Sequence, residues 1–223
     1  MRRMILPTLF GLAGAAALAG LGVWQLQRLV WKEGVLAEIE ARISAEPQAL
    51  PGIPDPGAHR YLPVRAEGTL VSETVRVLVG RKRIGAGYRL ISTLEVADGR
   101  RVMVDRGFAP AGSDARPISG SVAVVGNLHW PQEKDRFTPE PDLAANIWFA
   151  RDVPALARTL DAEPTLIVAR SLDPADPMVE PLPIDASEIP NDHLEYAITW
   201  FALAVVWLGM TGFLLLRLSR RAI

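Results

Sequence analysis

Two uninterrupted apolar runs, one near each end of the chain, dominate the hydrophobic pattern. Ile5 to Val23 carries no charged residue over 19 positions, and Tyr196 to Leu216 carries none over 21. A helix needs ~20 apolar residues to cross the hydrocarbon of a bilayer, so each run is long enough to span once. Arg2 and Arg3 precede the first run, and Arg217, Arg220 and Arg221 follow the second. Basic flanks stay on the cytoplasmic side. The pattern therefore predicts cytoplasmic tails at 1–4 and 217–223, transmembrane helices at 5–23 and 196–216, and one extracytoplasmic domain at 24–195, 172 residues long. The first run also has features of a secretory signal, with a basic start and small residues at Ala17 and Ala19. Its length, and its continuation through Leu21, Gly22 and Val23, favour a retained anchor. Gly11, Gly14, Ala15, Ala16 and Gly20 would suit close packing against a second helix.

Between the runs the periodicity changes twice. Trp24, Arg28, Trp31 and Val35 recur at helical spacing, which predicts an amphipathic continuation of the first helix to about Ser44. Pro47, Pro51, Pro54 and Pro56 then mark a loop. Short strands follow at 61–70, 74–79, 88–96, 102–108 and 121–128, with weaker ones at 147–150 and 165–169 and a short helix at 153–160. Asp98-Gly99 is a hairpin signal. Pro174, Pro177, Pro181, Pro183 and Pro190 make 173–190 an extended return to the membrane. The fold class predicted is an α+β membrane protein. Two transmembrane helices, N- and C-terminal, flank a mostly antiparallel-β, barrel-like periplasmic domain with one or two helices.

Charge separates along this layout. The chain carries −1 overall, but five of its 24 basic residues lie in the tails, so the remaining 19 face 25 acidic ones, a net −6. An acidic outer domain excludes nucleic acid as a natural partner, while the basic tails suit anionic membrane lipid. The chain has no cysteine, which removes disulfides, thiolate metal sites and covalent haem attachment.

Candidate chemistry is sparse. No nucleophile elbow, zinc-protease, phosphate-loop or dinucleotide motif appears, so the chain does not read as an enzyme. Gly85-Ala86-Gly87 after Arg81-Lys82-Arg83 reads as a tight turn with a basic flank, and Asp105-Arg106-Gly107 as a local ion pair that organises a turn. His59 and His129 read as ordinary surface or hydrogen-bonded residues. His193 stands apart, because it opens the second apolar helix behind a plausible Asp192–Glu195 capping pair. His193, Tyr196 and Trp200 fall on one face at the outer edge of the bilayer. Two readings remain open: an interfacial anchor, or an axial imidazole ligand to a haem iron with the aromatic rings beside it.

The two ends together resemble the Surfeit locus protein 1 family. Leu21-Gly22-Val23-Trp24-Gln25-Leu26-Gln27-Arg28, followed by Trp31-Lys32, looks like that family's LGxWQxxR…WK signature. Asn191-Asp192-His193-Leu194-Glu195-Tyr196-Ala197-Ile198-Thr199-Trp200-Phe201 is similar to its NxHLxYAxTWF. Tyr61-Leu62-Pro63-Val64, Gly68, Gly87-Tyr88 and Val104 to Pro110 fall between them in the family's order. The central motif departs, since Asp105 and Phe108 stand where the family more often has Asn and Trp. The segment 127–146 matches only loosely.

The resemblance implies a bacterial assembly factor of haem-copper cytochrome c oxidase, in the inner membrane with both termini cytoplasmic and the domain periplasmic. Only Met1 to Met4 precede the first run, with no Arg-rich transit segment ahead of it. It implies haem a as a transiently bound cofactor and His193 as the axial ligand to its iron. Tyr196 and Trp200 would flank the ring, Trp24 would lie beside it, and Arg28 or Lys32 would pair with the propionates. The partners implied are cytochrome c oxidase subunit I and haem A synthase, together with membrane lipid. A membrane-anchored scaffold that stabilises subunit I without holding haem is the alternative, and an unrelated anchored hydrolase is a distant third.

Overall fold

The computed structural model describes residues 2–81, 84–113, 118–186 and 189–220. Lys82 and Arg83 of the predicted basic flank, and Arg221 of the C-terminal tail, lie outside the described residues. The chain forms α1 (Arg2–Ile43), β1 (Gln48–Ala49), β2 (Pro63–Arg81), β3 (Gly85–Val96) and β4 (Arg101–Pro110). After these come β5 (Gly120–Leu128), β6 (Ile147–Trp148), α2 (Val153–Thr159), β7 (Leu166–Asp173) and α3 (His193–Arg220). Two compact units result, one of residues 1–38 with 186–223 and the other of residues 39–185.

In the first unit, α1 and α3 are both long and apolar enough to cross a membrane. At 1.5 Å per residue the 42 residues of α1 extend ~63 Å, about twice the thickness of a hydrocarbon core, so the apolar run occupies only its first half. Nothing interrupts the helix at the change of pattern after Val23, because the amphipathic stretch that follows keeps the same 3.6-residue period. Asp192 precedes α3, and its carbonyl accepts the N–H of Tyr196 at 3.1 Å, which starts the helical ladder where the capping pair predicts it.

The second unit is built on a mixed sheet. β2 pairs antiparallel with β3, β3 with β4, and β4 parallel with β7. β7 pairs antiparallel with β5, and β5 returns antiparallel to the first half of β2. The order of pairing thus comes back to its starting strand. β2 can serve both neighbours because it is 19 residues long, with Pro63–Leu70 on β5 and Gly68–Arg81 on β3. The sequence divides this strand in two, at 61–70 and 74–79. What lies between is a register shift at Leu70/Thr74 rather than a turn, and Val71-Ser72-Glu73 carries the strand through it.

The core lies within this sheet. Val64, Ile91, Leu94, Val104, Val124 and Ile167 are all fully buried, and Leu156 of α2 joins the same cluster. α2 is capped by Asp152, whose side chain accepts the N–H of Ala155 at 3.2 Å. The hairpin at Asp98-Gly99 forms as the sequence predicts. Gly99 takes φ +85°, and the Asp98 carboxylate accepts the N–H and the guanidinium of Arg100, which holds its pKa below the usual range.

The sequence Asp105-Arg106-Gly107-Phe108 anchors the return segment. Gly107 has φ +125°, and a Cβ there would run into the carbonyl of Glu180. That close approach lets the Phe108 N–H donate to the Glu180 carbonyl at 2.7 Å and the Glu180 N–H donate to Phe108 at 2.9 Å. Val179 then packs on Leu90 and Ala109. Both effects of a methyl at 107 are unfavourable, the left-handed backbone and the collision. Gly107→Ala should cost about 2 kcal/mol or more, lowering Tm by roughly 4–8 °C for a unit of this size. Gly99→Ala, where a Cβ meets nothing within 4 Å, should cost less. Thermal unfolding of the full chain in detergent, followed by tryptophan fluorescence, tests this, and equal losses in the two variants would refute the role given to Glu180.

Candidate functional site

The site at the chain's two ends is set by how closely α1 and α3 approach. A Cβ on Gly11 would overlap the side chain of Thr211, one on Gly14 the indole of Trp207, and one on Gly22 would stand 2.7 Å from the Phe201 ring. Ala15 on α1, and Ala197 and Ala204 on α3, are buried along the same seam. The Trp207 indole N–H donates to the Gly11 carbonyl at 2.9 Å, and the Phe10 and Trp207 rings lie 5.5 Å apart. The contacts run antiparallel, with rising numbers on α1 meeting falling numbers on α3. Two of the small residues picked out by sequence lie elsewhere: Ala16 and Gly20 are exposed, and nothing stands within 4 Å of a Cβ at Gly20. Composition alone names small residues, whereas the 3.6-residue period decides which of them face the partner.

Following this seam upward brings Gln25 opposite His193. Oε1 of Gln25 lies 2.7 Å from Nδ1 of His193, and Gln25 is 9% exposed. An amide oxygen only accepts, so the imidazole donates from Nδ1 and its Nε2 keeps a lone pair. His193 itself is half-buried, and Trp200 two turns along is likewise half-buried. Tyr196 is 56% exposed and Trp24 49% exposed, so both present apolar ring surface outward. The Arg28 guanidinium lies 4.2 Å over the Trp31 ring, on the tryptophan side of α1. The structure thus joins His193 to Gln25, which in the sequence is one position of the Leu21–Arg28 motif. One signal was available. Gly11, Gly22 and Gln25 share a face of α1, and an amide on a face of glycines is a polar group aimed at a neighbouring helix.

A second polar cluster sits inside the β unit. Asp105 and Arg106 do not pair with each other, because consecutive strand residues point to opposite faces. The Asp105 carboxylate instead accepts Arg89 Nε at 2.5 Å, Arg151 Nη1 at 3.4 Å and the Gly107 N–H at 3.2 Å. Arg106 donates to Asp176 at 2.7 Å, and burial holds the Arg106 pKa below its ordinary value against the pull of Asp176 and Asp105. Arg89 also donates to the Leu182 carbonyl at 2.6 Å, and Arg151 is bonded to Glu133. His129 stands among these groups, its Nδ1 buried and without a hydrogen-bond partner. Burial, with Arg151 and Arg60 nearby, pushes its pKa down to about 4. His59 takes the modest role expected of it, accepting the Asp55 N–H at 2.9 Å. Among the described residues no group of three or more His, Asp or Glu side chains is placed to hold a metal ion.

These elements define a class of protein in which a closed set of strands is carried between two long apolar helices that pair with each other. Residues 12–205 match the SURF1 family. A SURF1-like protein of Monosiga brevicollis is 32% identical over 216 residues, covering 87% of this chain and 82% of that protein. Human Surfeit locus protein 1 is 31% identical over 211 residues, covering 83% of this chain and 69% of the human one. A SURF1-like protein of Rickettsia felis is 31% identical over 202 residues, covering 84% and 87%. The chain belongs to the SURF1 family.

Two measurements check the geometry. The chain has no cysteine, so an engineered pair reports proximity without background. Gly11→Cys with Thr211→Cys should form a disulfide on mild oxidation, and Ala16→Cys with Thr211→Cys should not. The reverse outcome would place α3 on another face of α1. His129 supplies a pH test. Its folded pKa lies below the ordinary 6.5, so the unfolded chain binds the proton first as pH falls. The stability is therefore complete above about 6.5 and drains away toward about 4. Tm should fall between pH 6.5 and 5, above the range where ordinary carboxylates titrate, and His129→Gln should flatten that slope. An unchanged slope would show that His129 is accessible to protons in the folded state.

Proposed function

We propose that this protein is an assembly factor, rather than a catalyst, for haem-copper cytochrome c oxidase, and that it holds haem a through His193 while the cofactor passes to subunit I. In this reading α1 and α3 cross the inner membrane of a bacterium, both termini are cytoplasmic, and the β unit is periplasmic, its closed order of strands forming a small barrel. Membership of the SURF1 family over residues 12–205 supports the assembly role. The single observation that carries the cofactor reading is the state of His193. It opens an apolar helix, is half-buried, and has one ring nitrogen engaged by Gln25 while the other keeps its lone pair.

The residues present fit such a group. When bound, haem a would supply an iron that takes a nitrogen ligand and a long apolar tail suited to the bilayer. His193 would supply that nitrogen, and the α1–α3 seam fixes where its ring stands. Tyr196 and Trp24 offer exposed aromatic surface to a flat hydrophobic ring, and Trp200 lies on the same face of α3 as His193. Arg28 is exposed at the level of Trp31, where its charge can pair with a propionate at the water boundary while its plane stays on the indole. Subunit I is the protein partner in this reading, and haem A synthase, as the source of the cofactor, a second.

The test is an absorption spectrum of detergent-purified protein co-expressed with haem a biosynthesis, wild type beside His193→Ala. Wild type should carry a haem a spectrum that is lost or shifted in the variant. Folded, colourless protein in both samples would overturn the cofactor reading and leave a scaffold that stabilises subunit I without haem.

A further inference from the structure

We infer that Gln25 is a positioning residue for His193, holding Nδ1–H and so fixing the imidazole in the tautomer whose Nε2 can ligate a metal. The inference rests on the cofactor reading above and goes beyond it, because it assigns a task to a residue on the other helix, 168 positions away in the chain.

A neutral imidazole has one N–H, and which nitrogen carries it decides which can act as a ligand. Free in water the ring would exchange between the two forms. Against Gln25 it cannot do so freely, since Oε1 at 2.7 Å accepts from Nδ1 and would be left without a donor if the proton moved to Nε2. Gln25 is 9% exposed, so little water is at hand to replace that donor. The same bond fixes the rotation of the ring, the usual effect of a hydrogen bond at the second nitrogen of a ligating histidine. Gln25 is held in place in turn by the seam below it, where Gly22 lets Phe201 lie against α1 three residues earlier. The ligating tautomer is therefore favoured when the two helices are paired. An amide serving merely to join the helices would be indifferent to the haem, which separates the two roles.

The experiment has two parts. With only three histidines in the chain, long-range nitrogen–proton spectra of the haem-free protein in detergent can resolve the His193 ring. The ring should be protonated at Nδ1 in wild type and should lose that preference in Gln25→Leu. Titration with haem a should then show Gln25→Leu binding about 10–100-fold more weakly than wild type. Gln25→Glu, which keeps an acceptor and strengthens it, should retain binding and shift the iron midpoint potential to more negative values. The Gly11→Cys/Thr211→Cys crosslink, repeated in the Gln25→Leu background, reports whether the helices still pair. A wild-type ring protonated at Nε2 would mean that the amide is turned round, and would overturn the inference. A Gln25→Leu variant that crosslinks normally and binds haem a with unchanged affinity and spectrum would also overturn it, leaving the cofactor reading intact. Wild-type protein that takes up no haem a would overturn the cofactor reading and this role with it, whatever the nitrogen spectrum shows.

Discussion

Glycines at positions 11, 14 and 22 leave nothing on α1 to hold α3 away, so Thr211, Trp207 and Phe201 lie directly on its backbone. In a hydrocarbon solvent the hydrophobic effect does not drive two apolar helices together, and contact has to come from close packing and a few polar bonds. Both are present here. The large side chains of α3 fill the space that hydrogen atoms leave on α1, and the Trp207 indole finds an acceptor in the Gly11 carbonyl, which is already part of the helix ladder. Such a seam favours one register, because sliding the indole a turn further along α1 would carry it from Gly14 to Ala17 and Leu18. The position of residue 25 opposite residue 193 follows from that register.

The β unit applies a different constraint to a similar end. Along β4 the alternation of faces sends Asp105 to one side, where Arg89 and Arg151 meet it, and Arg106 to the other, where Asp176 meets it. Buried pairs of this kind add little net stability, since desolvation of the charges offsets most of their attraction. They are costly to leave unmatched, however, and that makes them selective about what completes them. Here three of the completing groups come from outside the strands. Asp176 and the Leu182 carbonyl belong to the proline-rich return, and Arg151 stands just before α2. A segment whose prolines remove much of its own hydrogen bonding is thereby held by side chains of the sheet and by one short backbone bridge at Phe108.

The large features were legible in the sequence because they depend on neighbours in the chain. The apolar runs, the Asp98-Gly99 hairpin, the helix start after Asp192 and the short helix behind Asp152 are all set within a few residues of themselves. What the sequence did not give away depends on residues far apart. A bend inside β2 looks like a turn between two strands, since Ser72-Glu73 breaks the alternation without ending the pairing on either side. Asp105 beside Arg106 looks like an ion pair until strand geometry parts them. Small residues at 16 and 20 look like those at 11 and 14 until the period of the helix separates their faces. His193 was visible as a candidate, but its partner was not, because no local pattern joins positions 168 apart.

The two motifs that carry the family resemblance acquire a physical sense when laid on this geometry. Gly22 and Gln25 belong to the first and share a face of α1. His193 and Phe201 belong to the second and share a face of α3. Gly22 receives Phe201 and Gln25 receives His193, so the paired residues form two successive steps of one seam, the first steric and the second polar. The steric step fixes how closely the helices approach, and the polar step uses that closeness to direct a ring nitrogen. Neither motif could do this alone. A histidine at the head of an isolated helix would be a side chain with two interchangeable nitrogens, and a glutamine on an isolated helix would have no imidazole to orient. Pairing the helices turns both into one defined site.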